Sequence, residues 1–202
     1  MFIKKLKYKF ESGFTLVELL IVIALLAAIA LIVIAAINPV EQANRARDTR
    51  LNSDAGQVIS AVERYFATTD EFPWVTGSLT ANNEAALTFR TAGTPNLGIC
   101  GASCTADGSL ITGQELKTEF RDRDFVTATA TEDQILVGKD AGAAATTYAC
   151  YIPFATSTRQ RSCADGNVYT VSGSTRTPVA TSTCSSASAD WTSSNWRVCL
   201  PQ

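Results

Sequence analysis

Residues 14–37 read FTLVELLIVIALLAAIALIVIAAI, and Glu18 is the single charged residue among them. A helix of this length measures about 36 Å at ~1.5 Å per residue, which is enough to cross a bilayer core of about 30 Å. The apolar region of an ordinary secretory signal peptide is shorter, at roughly 7–15 residues. The stretch therefore predicts a helix that spans a membrane.

The segments on either side of this stretch bear on its orientation. Residues 1–13 hold four lysines against one acid, Glu11, and so carry a side-chain charge of +3. Basic flanks tend to stay in the cytoplasm. Three arginines follow the apolar stretch, however: Arg45, Arg47 and Arg50. Charge alone therefore favours a cytoplasmic N-terminus by a narrow margin.

The composition of the whole chain excludes several function classes. The 202 residues include no histidine, and the sequence pI is about 5.2. Without histidine, Ser-His-Asp and Cys-His catalytic sites are excluded, as are zinc sites with imidazole ligands. An acidic chain is not typical of nucleic-acid binding, and no phosphate-binding glycine motif occurs. We predict no enzymatic activity, no cofactor and no metal.

Glu18 is the unusual residue of the apolar stretch. An ionised carboxylate inside a membrane span costs at least ~2.5–3.5 kcal/mol on insertion scales. It is tolerated near the lipid headgroups or beside a cationic partner. As the fifth residue of the stretch, Glu18 lies near the predicted cytoplasmic interface, so physical chemistry alone leaves both explanations open.

The residues around Glu18 carry a resemblance to a known family. Ser12 to Leu20 read SGFTLVELL, and together with the basic leader and the apolar run they resemble the processing site of type IV prepilins and type II secretion pseudopilins. The resemblance implies that residues 1–13 are a leader peptide cleaved after Gly13, and that the new N-terminal residue, Phe14, is N-methylated. It also implies that Glu18 acts in assembly, by neutralising the N-terminal amine of a neighbouring copy. Removing the carboxylate and the amine from water costs free energy, and this cost offsets much of their attraction in a low dielectric. Such a pair therefore sets the register between neighbouring subunits more than it stabilises them.

The same resemblance implies a structural subunit and no catalyst. Its partners are then other copies of itself and related pilins in a helical homopolymer, the prepilin peptidase and methylase, and an inner-membrane assembly platform. The chain is expected in the cytoplasmic membrane before assembly and in an extracellular filament afterwards. Three alternatives stay open: a pseudopilin of a type II secretion or DNA-uptake (competence) system, a single-pass anchored binding domain that never polymerises, and a membrane-tethered enzyme.

A second helical segment follows the apolar stretch. Pro39 lacks the N–H that a helix interior needs, so the helix is predicted to end, kink or unwind there. In pilins the helix-breaking proline commonly lies somewhat earlier, and position 35 is alanine here. Residues 38–67 then resume a helical period with one apolar face. We predict a spine helix over about 14–67, with 14–37 in the membrane or filament core and 38–67 packed by a head, residues 68–202.

The head is predicted to be α+β, with a variable loop region near 75–125 and a small antiparallel sheet. Its candidate strands are 134–138, 146–154, 167–172 and 195–200. The Asp-Gly-Asn turn signal at 165–167 predicts a hairpin between the second and third of these. Residues 172–195 are rich in Ser and Thr, which predicts a solvated loop or an O-glycosylated surface.

All six cysteines follow the apolar stretch: Cys100, Cys104, Cys150, Cys163, Cys184 and Cys199. An even number on one side of a membrane predicts disulfides in an oxidising exterior. Six cysteines allow fifteen pairings, among which the sequence does not choose. Our working hypothesis pairs neighbours, as 100–104, 150–163 and 184–199. Cys100 and Cys104 have a C-x3-C spacing that could begin a zinc site, but no second close pair of ligands follows.

Two weaker hypotheses concern ligands of the head. Asp107 and Asp133 are acids that a calcium site would use, but neither has neighbours at ligand spacing. Four arginines are candidates for a basic patch that contacts DNA, although the protein is acidic: Arg159, Arg161, Arg176 and Arg197.

Overall fold

The computed structural model describes residues 13–36 and 38–201. The expectations for the leader residues 1–12 and for Ile37 lie outside this range. The chain divides into two compact units, Met1–Pro39 and Val40–Gln202. The first unit contains helix α1 (Leu16–Ala36).

Helix α1 is apolar on every side. Its residues Leu16–Ile34 have a mean hydropathy of 3.2, and within the described ranges this is the one helix long and apolar enough to cross a membrane. The large side chains of this segment are exposed, for example Leu16 at 80% and Ile32 at 70%. A helix that is hydrophobic all round needs lipid or other helices around it.

The helical backbone is interrupted next to Pro39. Helix α1 ends at Ala36 and helix α2 (Pro39–Thr69) begins three residues later, with Asn38 non-helical between them. Proline lacks the N–H that would continue the first helix, and its fixed φ suits the first position of the second. The chemistry of Pro39 therefore accounts for both the end of α1 and the start of α2.

Helix α2 packs against the head through one stripe. The buried apolar residues include Leu51, Ala55, Val58, Ile59, Val62 and Tyr65. The helical period of residues 38–67 predicted one apolar face, and these residues form it; burying each large side chain contributes about 1.5–3 kcal/mol. Two acids of the same helix, Asp48 and Asp54, are also buried, which the apolar pattern did not predict.

The other helices of the head are short. They are α3 (Pro73–Thr76), α4 (Ser109–Thr112), α5 (Asp124–Thr127), α6 (Thr156–Ala164) and α7 (Ser188–Ser193), with 3-10 turns at Thr118–Phe120 and Thr131–Asp133. Three of them place a large aromatic residue in the core: Trp74 from α3, Phe125 from α5 and Trp191 from α7.

Six strands form one antiparallel sheet in the order β1-β2-β3-β6-β4-β5. In chain order they are β1 (Leu87–Thr91), β2 (Leu136–Lys139), β3 (Thr147–Tyr151), β4 (Tyr169–Ser172), β5 (Thr175–Pro178) and β6 (Trp196–Leu200). The four predicted strands correspond to β2, β3, β4 and β6. Strands β1 and β5 were not predicted, because LTFRT has only two apolar residues and TRTP has none.

The predicted hairpin between 147–153 and 167–172 is wrong. Strand β3 pairs with β2 and β6, whereas β4 pairs with β5 and β6. Helix α6 occupies the connection, and Gly166, with a φ of 68°, turns the chain just after it. The Asp-Gly-Asn signal therefore marks the end of a helix, where glycine commonly takes this left-handed conformation.

The two faces of the sheet pack differently. One face joins α2 in the main core. The other face carries a smaller cluster. Its three buried residues are Cys150, Val171 and Cys199, and four half-buried side chains cover them: Phe89, Leu136, Tyr148 and Tyr169. The sheet curls around this cluster, since the backbone N–H of Phe89 donates to the carbonyl of Gly173 at 2.7 Å. The Phe89 ring lies so close to Gly138 that a Cβ there would meet it at 2.6 Å.

Three disulfides cross-link the head: Cys100–Cys104, Cys150–Cys199 and Cys163–Cys184. The neighbour pairing is right for the first and wrong for the other four cysteines. Cys150 and Cys199 face each other on β3 and β6, with their Cα atoms 4.0 Å apart. Cys163, at the end of α6, reaches Cys184 in the Ser/Thr-rich segment. Pairing therefore follows tertiary contacts that join distant parts of the chain.

Removing the Cys150–Cys199 disulfide should destabilise the head more than removing Cys100–Cys104. The loops they close differ in length, and the chain-entropy model assigns them about 4 and about 2 kcal/mol respectively. We expect this difference between the two double Cys→Ala variants in urea titrations of the detergent-solubilised full chain, followed by tryptophan fluorescence. Equal losses in the free energy of unfolding would contradict the proposed effect of loop length.

Candidate processing and assembly site

The first turn of α1 is closed by a capping box. The Oγ1 of Thr15 accepts a hydrogen bond from the Glu18 N–H at 3.2 Å, and the Glu18 carboxylate accepts from the Thr15 N–H at 3.3 Å. The Thr15 hydroxyl also lies 3.3 Å from the same carboxylate oxygen. Thr-x-x-Glu before an apolar run is the sequence signature of this arrangement. The prediction for Glu18 missed that signal.

The capping box fixes the position of the Glu18 carboxylate. It holds the carboxylate beside the free N–H groups of the first helical turn, where the helix dipole favours an anion. The hydrogen bonds to Thr15 use a single carboxylate oxygen, Oε2. The carboxylate is therefore fixed at the N-terminal end of an apolar rod, with its second oxygen able to accept from a cation.

Gly13 and Phe14 lie ahead of α1 in non-helical backbone. The Phe14 side chain is 78% exposed. A Cβ added at Gly13 would meet no atom within 4 Å, so the described fold does not require glycine at this position. A requirement for glycine would have to come from a protein that acts on the adjacent peptide bond.

A comparison with models of protein families matches the N-terminal segment of the chain. Residues 8–34 match the family model described as the prokaryotic N-terminal methylation motif. The chain carries a type IV pilin-like class III signal peptide. The match ends at residue 34, so it does not include the head. Searches of curated proteins and of solved structures found no match.

The pilin-like signal agrees with the architecture behind it. The long N-terminal apolar helix, the curled antiparallel sheet and the three disulfides make an α+β, pilin-like fold. The motif supports a type IV pilin or pseudopilin-like protein, and together with the apolar helix it fits a single-pass membrane-anchored precursor. The motif generally implies self-assembly and processing by a prepilin peptidase.

A second polar cluster joins the start of α2 to α6. The backbone N–H groups of residues 154–155 donate to the Asp48 carboxylate at 2.6 and 3.0 Å. Those of residues 156–157 donate to the Glu41 carboxylate at 3.1 and 2.9 Å. Ala155 is the N-cap of α6 and offers no polar side chain. Two acids of α2 therefore supply the cap that the sequence of α6 lacks.

The cap predicts a loss of stability in acid. Hydrogen bonds, chiefly from Ser157, lower the pKa of Glu41 from 4.5 to about 2. A carboxylate whose pKa is depressed by folding stabilises the fold above its unfolded pKa, and this contribution is lost as the pH falls from about 4.5 to about 2. We expect Glu41→Gln to flatten the fall in unfolding free energy across this window, measured by urea titration at a series of pH values. Glu63→Gln, which removes an exposed acid of the same helix, is the control; the same flattening there would contradict the assignment.

The four arginines considered for a basic patch do not form one. Arg159 and Arg197 are buried, and the Arg159 Nε donates to a backbone carbonyl at 2.7 Å. The Arg176 guanidinium lies 3.3 Å from the centre of the Tyr148 ring. Arg161 is exposed on α6. The hypothesis of a DNA-binding patch built from all four residues is therefore wrong.

The acids considered for calcium have other partners. Asp107 forms an ion pair with Arg121, and Asp133 forms one with Arg47 of α2. Among residues 13–36 and 38–201, no group of three or more cysteine or acidic side chains could hold a metal ion. Asp133 instead ties the 3-10 turn at Thr131–Asp133 to α2.

Besides Arg159, two more buried cations were not predicted from the sequence: Lys139 and Arg197. Lys139 on β2 is fully buried, and its ammonium donates to the backbone carbonyls of Asn83 at 2.9 Å, of Asp140 at 3.1 Å and of Gly142. Burial lowers the pKa of Lys139. Burial also lowers the pKa of Arg197 to about 10. No sequence pattern distinguishes these residues from exposed basic residues.

Proposed function

We propose that the protein is the structural subunit of an extracellular type IV pilus-like filament. The observation that carries the proposal is an apolar helix, α1, exposed over Leu16–Ile34, with the Glu18 carboxylate held at its N-terminal end. Lipid or neighbouring copies must cover such a surface. A subunit that moves from a membrane into a filament has both kinds of cover in turn.

Cleavage after Gly13 supplies a positively charged partner for the Glu18 carboxylate. The peptidase removes residues 1–13 and leaves an amine on Phe14, which N-methylation leaves able to carry a positive charge. The Glu18 carboxylate of one copy then neutralises the Phe14 amine of its neighbour. A copy displaced by one helical turn leaves both charges unpaired in an apolar core, which costs several kcal/mol. The pair therefore selects the stagger between subunits.

Apolar packing between the α1 helices of neighbouring subunits supplies the affinity of assembly, which the charge pair does not. Outside the membrane, the side chains of Leu16–Ile34 would face water, and bundling them removes apolar surface at about 25 cal/mol per Å². This attraction has no direction along the helix axis, since the apolar residues surround α1 on all sides. Register must come from the polar residue at the end of the rod, and in the described part of α1 that residue is Glu18.

The precursor is proposed to be a single-pass protein of the cytoplasmic membrane with its N-terminus in the cytoplasm. Four lysines before the span and three disulfides after it support this orientation. Its partners are the prepilin peptidase and methylase, an inner-membrane assembly platform, and other copies or related pilins.

Recovery of the chain from sheared cells tests this function. In cells that hold the peptidase and the assembly platform, we expect the chain in filaments that pellet after shearing and that electron microscopy shows at the cell surface. Cells without the platform are the control and should keep the chain in the membrane fraction. Retention in the membrane of complete cells would contradict the proposal. Filaments confined to the periplasm would instead indicate a secretion pseudopilin.

A further inference from the structure

The three disulfides of the head differ in their access to solvent. Three of the six cysteines are fully buried: Cys100, Cys150 and Cys199. The other three are half-buried: Cys104, Cys163 and Cys184. The Cys163–Cys184 disulfide is therefore the one that joins two half-buried residues. Exchange with an external thiol requires a thiolate to reach a sulfur atom of the bond, so access favours attack on this pair.

Loop length also separates the pairs that reach the surface. Cys100 and Cys104 are four residues apart, whereas Cys163 and Cys184 are 21 residues apart. Once a disulfide is broken, the entropic cost of bringing its two thiols together again grows with the length of the loop between them. The short loop therefore closes again more readily, and the Cys163–Cys184 pair is the one that stays open in a reducing solution.

The Cys163–Cys184 disulfide fastens a largely exposed segment, residues 180–185, to α6. In the described structure, the hydrogen bonds of this segment go to partners within it or just after it. The Trp191 indole N–H of α7 donates to the Ser185 carbonyl at 2.6 Å, and the remaining bonds are turns around Ala180 and Ser185. The disulfide is therefore the bond that joins the segment to α6.

We propose that the Cys163–Cys184 disulfide is a thiol-exchange latch, which a dithiol in solution reduces before the other two disulfides. One thiolate of the dithiol attacks a cysteine sulfur, and the S–S bond breaks as a mixed disulfide forms. The other cysteine leaves as a thiolate and takes up a proton. The second thiol of the dithiol then displaces the first cysteine, so that the dithiol leaves as a disulfide after supplying two electrons and two protons.

Opening this latch releases residues 180–185 from α6. The buried Cys150–Cys199 disulfide stays intact, because β3 and β6 hold its two cysteines opposite each other within the sheet. The sheet and its contact with α2 therefore keep their structure while the segment is released. The inference concerns the head alone and holds whether or not the chain polymerises.

Partial reduction of the detergent-solubilised full chain tests the order of reduction. The natural chain is incubated with dithiothreitol in the absence of denaturant, samples are trapped over time with excess N-ethylmaleimide, and peptide mass spectrometry reports each cysteine. We expect Cys163 and Cys184 to be alkylated at least about tenfold faster than Cys150 and Cys199, because exchange depends on access to the sulfur. Alkylation of all six cysteines at one common rate, or of either other pair first, would overturn the inference.

Limited proteolysis with proteinase K tests the release of the segment. The natural chain should be cut within residues 180–185 only after reduction. Cys163→Ser with Cys184→Ser should be cut there without reductant. Cys100→Ser with Cys104→Ser keeps the latch and is the matched control, so it should resist cutting until it is reduced. Resistance of the first double variant, or cutting of both variants without reductant, would overturn the inference.

Discussion

Glu18→Gln should reduce filament yield at least about tenfold while leaving leader removal intact. The substitution removes the only negative charge of α1, so each Phe14 amine in a filament would be buried without a counter-charge. An uncompensated buried charge costs several kcal/mol, and about 1.4 kcal/mol already corresponds to a tenfold change in an equilibrium. Immunoblots of sheared and membrane fractions measure the yield, and the mobility of the chain reports leader removal.

Glutamine is the informative replacement because it preserves the capping box. A glutamine side chain can accept from the Thr15 N–H as glutamate does, so helix initiation is retained and only the charge is lost. Thr15→Ala is the matched control, since it removes the capping hydroxyl at a cost of about 0.5–2 kcal/mol and keeps the carboxylate. We expect near-normal assembly from Thr15→Ala. Full assembly of Glu18→Gln together with failure of Thr15→Ala would show that Glu18 acts only as a helix cap.

Gly13→Leu should leave the leader attached to nearly all of the chain. A Cβ at this position meets no described atom within 4 Å, so the substitution tests the peptidase and not the stability of the head. Without cleavage, Phe14 keeps a neutral peptide bond in place of an amine, and Glu18 of a neighbour has no cation to neutralise. We therefore expect unprocessed chain in the membrane fraction and no filaments, measured by intact mass and by shearing.

Ser12→Leu is the control for this experiment, because it adds the same side chain one position before the glycine. We expect Ser12→Leu to be processed like the natural chain. The disulfide-bonded head should have the same urea midpoint in all three proteins. Efficient removal of residues 1–13 from Gly13→Leu would refute the assignment of the cleavage site.

The parts of the structure that were predictable from the sequence depend on neighbours in the chain. The apolar composition of α1, the proline at position 39 and the period of the buried α2 stripe are local patterns, and each gave the right element. The capping box at Thr15 and Glu18 was equally local and was missed, because the charge of Glu18 was interpreted only in terms of the membrane. A four-residue signature would have identified it.

The parts that were not predictable depend on contacts between distant residues. The Cys150–Cys199 pair exists because β6 inserts between β3 and β4, and no spacing along the chain encodes that strand order. The cap of α6 by Glu41 and Asp48 joins positions more than 100 residues apart. Strand β5 carries no apolar residue and is recognisable only by its pairing with β4. Each of these features follows from tertiary packing.

In the proposed filament, processing creates the amine charge that Glu18 neutralises. Intact mass and N-terminal peptide analysis of the chain from sheared filaments would detect this amine and its methylation. We expect a chain that lacks residues 1–13, begins at N-methylated Phe14 and contains three disulfides. Filaments built from chains that still begin at Met1 would contradict the claim.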